Sequence, residues 1–170
     1  MRWRSPSPEA TRAAARELAE VVGEGGATVA LVGELGAGKT VFAKGVAEGL
    51  GIPAALLASP TFTIAQELAG AGGLRLVHAD LFRIESAAEL EAVGWEDWLV
   101  PGVLLLVEWA DRLPAELPAD HLEVRLGREP GRPEERQLEA RPHGPASAAL
   151  LARWRARCQA ASAPLTDGAP

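Results

Sequence analysis

"VALVGELGAGKTVFAKGV", residues 29–46, decides how the rest of the chain is read. It places Gly33-x-x-x-x-Gly38-Lys39-Thr40 between a hydrophobic run and a helical pattern in which Phe42, Val46 and Leu50 share one face. Glycines permit positive φ and let main-chain amides approach an anion with no side chain in the way. Successive N–H groups form an anion-binding concavity, and the helix that follows adds its positive end. In this pattern the lysine reaches the outer phosphates of a nucleotide and the threonine hydroxyl ligates Mg²⁺. The competing reading is a structural glycine-rich turn with a surface lysine. A strand before the loop and a helix after it are what phosphate binding requires, and that context favours a nucleotide. Lysine usage agrees: the chain has only two, Lys39 and Lys44, and otherwise relies on arginine. Gly33, Glu34, Leu35, Gly36, Ala37, Gly38, Lys39, Thr40 and Val41 are therefore the cofactor-binding candidates, and Lys44 reads as a solvated face residue.

Working outward, 170 residues suit one domain with a real core, taken as residues 1–162, with residues 163–170 a frayed tail. A formal net charge of −6 argues against broad DNA or RNA binding but leaves room for a partner that carries the nucleic acid. The single cysteine, Cys158, excludes an intrachain disulfide and cysteine-rich zinc spacing. No secretory signal is visible, and "VLLLV" at residues 103–107 is too short to span a bilayer, so no membrane role and a cytoplasmic location are expected.

Hydrophobic periodicity supplies the elements. "SPSPEATRAAARELAEVV" reads as a helix capped by Ser7 with Pro8 in its first turn, and "ATVALVG" as a buried strand. "LRLVHAD" is another strand, "SAAELEAVG" a short helix opened by Ser86 and Glu89, and "VLLLVEW" a central parallel strand covered on both faces. "HLEVRLG" and "RQLEA" form a later strand pair joined by the Gly/Pro-rich "REPGRPEE", before a last helix in "PASAALLARWRARCQAA". Alternating strands and helices predict an α/β fold: a P-loop NTPase-like, mainly parallel sheet covered by helices, with an antiparallel pair late in the chain.

Mg²⁺ needs acidic partners, which in such folds end neighbouring strands. Asp80 ends "LRLVHAD" and Glu108 ends "VLLLVEW", and the carboxyl ends of strands are where open α/β sheets gather ligands. Taken jointly with Thr40 they are the metal candidates, and with Lys39 the catalytic ones; spacing does not decide which acid touches the metal. "SPTFT", residues 59–63, reads equally as a nucleotide-sensing loop presenting Ser59 or Thr61 and as a simple Ser-Pro turn. His78 reads as a strand-end residue or as support for Asp80. Trp95 and Trp98 read as a partner anchor or as packing, and Arg153, Arg155 and Arg157 as a basic or merely solvated helix face. Guanine-reading Asn/Thr-Lys-x-Asp is absent from a chain without asparagine, which leaves ATP as the expected nucleotide.

"GELGAGKT", "SPTFT", "HADLFR" (residues 78–83) and "VEWADRLP" (residues 107–114), in this order and at this chain length, resemble the TsaE family. The resemblance implies a bacterial P-loop ATPase, with ATP and Mg²⁺ as cofactors, needed for the threonylcarbamoyl modification of tRNA adenosine. It also implies TsaD and TsaB as partners, through which tRNA is met indirectly. On the matching positions, Lys39 and Thr40 fall on the phosphate and Mg²⁺ residues, Asp80 and Glu108 on an acidic pair, Trp109 on a tryptophan beside it, and Thr61 in a switch-like segment. Two departures stand out: Phe82 replaces a tyrosine, and Val41 a second threonine, so both hydroxyl contacts are lost. The alternatives are a small-molecule P-loop kinase, for which "REPGRPEERQ" would supply arginines, and a nucleotide-sensing binding module.

Overall fold

The computed structural model describes residues 1–57, 64–161 and 166–167. Its centre is four parallel strands: β2 (Gly26–Val32), β4 (Arg75–Asp80), β5 (Val103–Glu108) and β6 (Leu122–Glu129). Three of them stand β4-β5-β2, with β6 on the other side of β2. Antiparallel strands extend both sides: β3 (Ala65–Ala69) beside β4, then β7 (Arg132–Pro142), β1 (Arg2–Ser5) and the short β8 (Thr166–Asp167) beyond β6. The full order is β3-β4-β5-β2-β6-β7-β1-β8.

Period-two alternation sorts the central strands between two cores. Val29, Leu31, Leu104 and Leu106 face α1 (Pro8–Glu20), α2 (Lys39–Gly49) and α4 (Pro145–Ala160). Ala30, Val32, Leu105 and Val107 face Leu90 of α3 (Ala87–Ala92) and the indoles of Trp95 and Trp98. All six residues of β5 are buried, as a strand covered on both sides must be. Trp95 and Trp98 are core residues whose ring N–H groups donate to Glu116 O and Glu67 Oε1, so they pack rather than anchor a partner. Among the described residues no helix is long and apolar enough to cross a membrane.

α1 begins where Ser7 Oγ accepts from Ala10 N at 3.2 Å and Pro8 fills the first turn. It packs on α2 at backbone distance, because Gly45 and Gly49 turn toward it: a Cβ on Gly45 would lie 2.3 Å from Arg12 O, and one on Gly49 2.6 Å from Arg16 O. Arg12 and Arg16 both bind Glu48 of α2 across this seam. The helix that opens at Lys39 is thus fixed from behind. In α4 the buried stripe is Ser147, Leu150, Trp154 and Cys158, with Leu151 half-buried beside it. Its basic character is turned partly inward: Arg157 pairs with Glu17 and Glu20 of α1, and Arg153 donates to Val21 O.

The late strand pair is longer than its apolar core suggests. The stretch read as a Gly/Pro linker is a two-residue turn, Pro130 and Gly131, with Gly131 at φ 74°. A bulge beside Arg128 and Glu129 absorbs Pro133, which cannot donate to a ladder. β1 is the strand the sequence hides, since its two buried residues, Trp3 and Ser5, include only one apolar side chain, too little alternation to detect.

Candidate functional site

The loop of residues 33–40 joins β2 to α2 at the carboxyl ends of the parallel strands. Gly33, Gly36 and Gly38 adopt φ of 152°, 74° and 107°, and a Cβ on Gly33 would lie 2.4 Å from Leu126 O. Side chains are excluded there by geometry as well as by conformation. The first amides of α2 have no acceptor within the helix and face a cleft of about 360 Å³. Leu35, Gly36, Gly38, Lys39, Thr40, Val41, Asp80, Phe82, Glu108, Trp109 and Arg136 line it. Ala37 is buried beneath the loop, and Glu34 points to solvent while its carbonyl accepts from Ala37 N at 3.1 Å. Thr61 lies outside the described residues, with the rest of residues 58–63.

Lys39 is turned onto its own loop. Its Nζ donates to Gly33 O at 2.6 Å and Glu34 O at 3.1 Å and sits 3.7 Å from the centroid of the Trp109 indole. Desolvation pulls its pKa below the usual lysine value, opposed by the nearby carboxylates of Glu108, Asp80 and Asp111. Trp109 reaches the ammonium from a left-handed backbone, φ 58°, a conformation that costs a bulky residue about 1–2 kcal/mol. Phe82 leans on the same indole with centroids 5.1 Å apart. Ring packing at this position therefore survives without a tyrosine hydroxyl.

The two acids are register partners on adjacent strands, Asp80 on β4 opposite Glu108 on β5. Glu108 is the more enclosed: Thr40 Oγ1 donates to it at 3.0 Å, and His78 Nε2 lies 2.9 Å from Oε1, where a ring N–H donates to the carboxylate. His78 is fully buried, so of the two roles open to it the geometry selects support, of Glu108 rather than of Asp80. Asp80 Oδ1 accepts from Phe82 N at 2.8 Å, which leaves Oδ2 for the cleft. Burial raises the Asp80 pKa above the ordinary carboxylate value, and the neighbouring Glu108 charge pushes it the same way. A hydroxyl and two carboxylates around one end of the cleft are hard oxygen donors, the set that suits Mg²⁺.

Sequence reasoning missed the place of two residues, which it offered only among the "REPGRPEERQ" arginines of the kinase alternative. Arg136 donates from Nε to Ala37 O at 2.9 Å, and Arg128 from Nη2 to Leu35 O at 3.0 Å. They stand about a hundred positions from the loop, separated by 99 and 93 residues, so no local spacing could announce them.

Fold and site together define a mixed α/β protein with a glycine loop between its central strand and a buried helix, opposed by two strand-end carboxylates. Residues 5–138 match the family model described as "Threonylcarbamoyl adenosine biosynthesis protein TsaE", and the chain belongs to this family. It is 41% identical over 128 residues to the tRNA threonylcarbamoyladenosine biosynthesis protein TsaE of Bacillus subtilis, covering 75% of this chain and 78% of that one. The Streptomyces coelicolor TsaE is 40% identical over 118 residues, covering 68% and 78%. The crystal structure of Bacillus subtilis YdiB superposes with a TM-score of 0.69 at 33% identity, over 92% of this chain and 94% of that one.

Proposed function

We propose that this protein binds ATP with Mg²⁺ and hydrolyses it in support of tRNA threonylcarbamoyladenosine biosynthesis, acting with TsaB and TsaD. Membership of the family supports the biosynthetic role. The observation that carries the nucleotide reading is the meeting of Lys39, Thr40 and Glu108 at one glycine loop, with Thr40 Oγ1 bonded to Glu108.

In this reading the loop amides and the end of α2 receive the phosphates, and Lys39 exchanges two carbonyls and an indole face for phosphate oxygens. Thr40, Glu108 and Asp80 are the residues that would hold Mg²⁺, whose chemistry when bound is to neutralise charge on the β- and γ-oxygens. His78 holds Oε1 of Glu108, the same oxygen to which Thr40 Oγ1 donates. Asp80 spends Oδ1 on Phe82 N and keeps Oδ2 for the metal or for a water beside it. Phe82 and Trp109 wall the cleft with apolar surface, which strengthens every charge interaction inside it.

Radiolabelled ATP with Mg²⁺, with and without the TsaB–TsaD pair, tests the reading. Phosphate released faster in the presence of the pair is the expected result. Label transferred to a metabolite would instead make the protein a kinase, and binding with no turnover under any condition would make it a sensing module.

A further inference from the structure

We infer that Arg128 and Arg136 are positioning residues of the polyphosphate cradle, acting through the carbonyls of the glycine loop. The inference rests on the nucleotide reading above and extends it to the β6–β7 hairpin. β1, β6 and β7 carry seven arginines: Arg2, Arg4, Arg125, Arg128, Arg132, Arg136 and Arg141. Five form ion pairs with glutamates, at positions 139, 135, 123, 135 and 139 respectively for Arg2, Arg4, Arg125, Arg132 and Arg141. Among the described residues Arg128 and Arg136 form none. They also stand directly opposite each other in the β6–β7 register, where like charges oppose pairing. Two guanidiniums without carboxylates, placed face to face, are an unfavourable arrangement for a sheet alone.

Their partners are loop carbonyls. Arg128 donates to Leu35 O at 3.0 Å, and Arg136 donates to Ala37 O at 2.9 Å and Gly36 O at 3.4 Å. Each carbonyl shares a peptide plane with the N–H of the next residue, so these bonds hold the planes that carry the amides of Gly36, Ala37 and Gly38. A donor on the carbonyl side polarises the unit and makes its N–H a stronger donor. Two positive charges also lie against the loop that is to receive a polyanion. The loop accommodates them: a Cβ on Gly36 would come within 2.2 Å of Arg128 Nη2. Arg136 is itself held by Pro133 O at 2.6 Å and Glu135 O at 2.8 Å, so its guanidinium is set before any ligand arrives.

Calorimetric titration of the full chain with Mg-ATP, and separately with inorganic pyrophosphate, tests this for Arg128→Ala, Arg136→Ala and, as a control for bulk charge, Arg132→Ala. Loss of a charge-assisted bond weakens both ligands about tenfold in each of the first two variants, with Arg132→Ala unchanged. Melting temperature, read in parallel, separates this from a structural role, which would lower the melt and leave affinity intact. Folded Arg128→Ala and Arg136→Ala proteins that bind as tightly as wild type overturn the inference alone, as does equal weakening in Arg132→Ala. A wild-type protein that binds neither ligand overturns the nucleotide reading and the inference with it. Arg128 is exposed and Arg136 half-buried, and if one variant fails to fold the other carries the comparison.

Discussion

At the scale of residues, the candidate site is organised around Glu108, on which Thr40 and His78 converge. Glu108→Gln keeps an acceptor for both partners and removes the charge. Turnover of ATP is expected to fall about 100-fold or more with a much smaller loss of ATP affinity, because charge placement acts mainly on the transition state. Single-turnover assays beside calorimetry distinguish the two. Asp80 leads to a prediction about pH. Its folded-state pKa is raised, so between the unfolded value and the folded one the native protein binds more protons than the unfolded chain does. Stability therefore falls as pH rises through that window, which opens near about 4. Asp80→Asn, which retains an acceptor for Phe82 N, should melt above wild type at neutral pH in chelator, and the difference should vanish in acid. A variant that melts below wild type at neutral pH would contradict the burial cost assigned to this carboxylate.

Elements hold the site by unequal means. α2 is fixed by backbone contact with α1 through Gly45 and Gly49, tied by Arg12 and Arg16 to Glu48. Replacing Gly45 by alanine would ordinarily help a helix by about 1 kcal/mol. Here the new Cβ meets a carbonyl of the next helix, and overpacking costs about 1–3 kcal/mol, so a net loss of stability is expected in urea titrations. The periodicity that revealed these helices was legible because their apolar faces are long. The loop and its two carboxylates were legible for a different reason: strand ends and a glycine-rich turn have residue types that little else demands. What stayed hidden was long-range. Arg128 and Arg136 look like any hairpin arginine until the hairpin is folded against the loop, and the turn at Pro130 and Gly131 was masked by the prolines around it.

On the scale of the whole molecule, β1 closes what would otherwise be an open edge. β7 runs for 11 residues between β6 and β1, and Trp3 packs edge-on against Trp154 at 4.9 Å. Trp154 in turn touches Phe42 of α2 at 5.9 Å and donates to Ala14 O of α1 at 2.7 Å. A strand of four residues thus props the core behind the candidate site. Removing residues 1–5 should lower the melting temperature and leave β7 with unpaired amides, and long free edges associate. Light scattering and size-exclusion chromatography would record the self-association, and a truncated chain that stays monomeric with an unchanged melt would show that β1 is dispensable. The parallel centre of the sheet was readable from hydrophobic runs. Its antiparallel flank was only half readable, because β1 contributes a single apolar buried side chain, Trp3, to signal itself.

Trp109 has an optical consequence. The chain contains no tyrosine and five tryptophans, of which Trp3, Trp95, Trp98 and Trp154 are sealed in the two cores. Trp109 alone of the five is half-exposed, with the ammonium of Lys39 against its face. Anything that draws that cation away alters the field on one indole while the other four emit as before. The protein's own ultraviolet emission is thereby a label-free gauge of whether the cleft is filled.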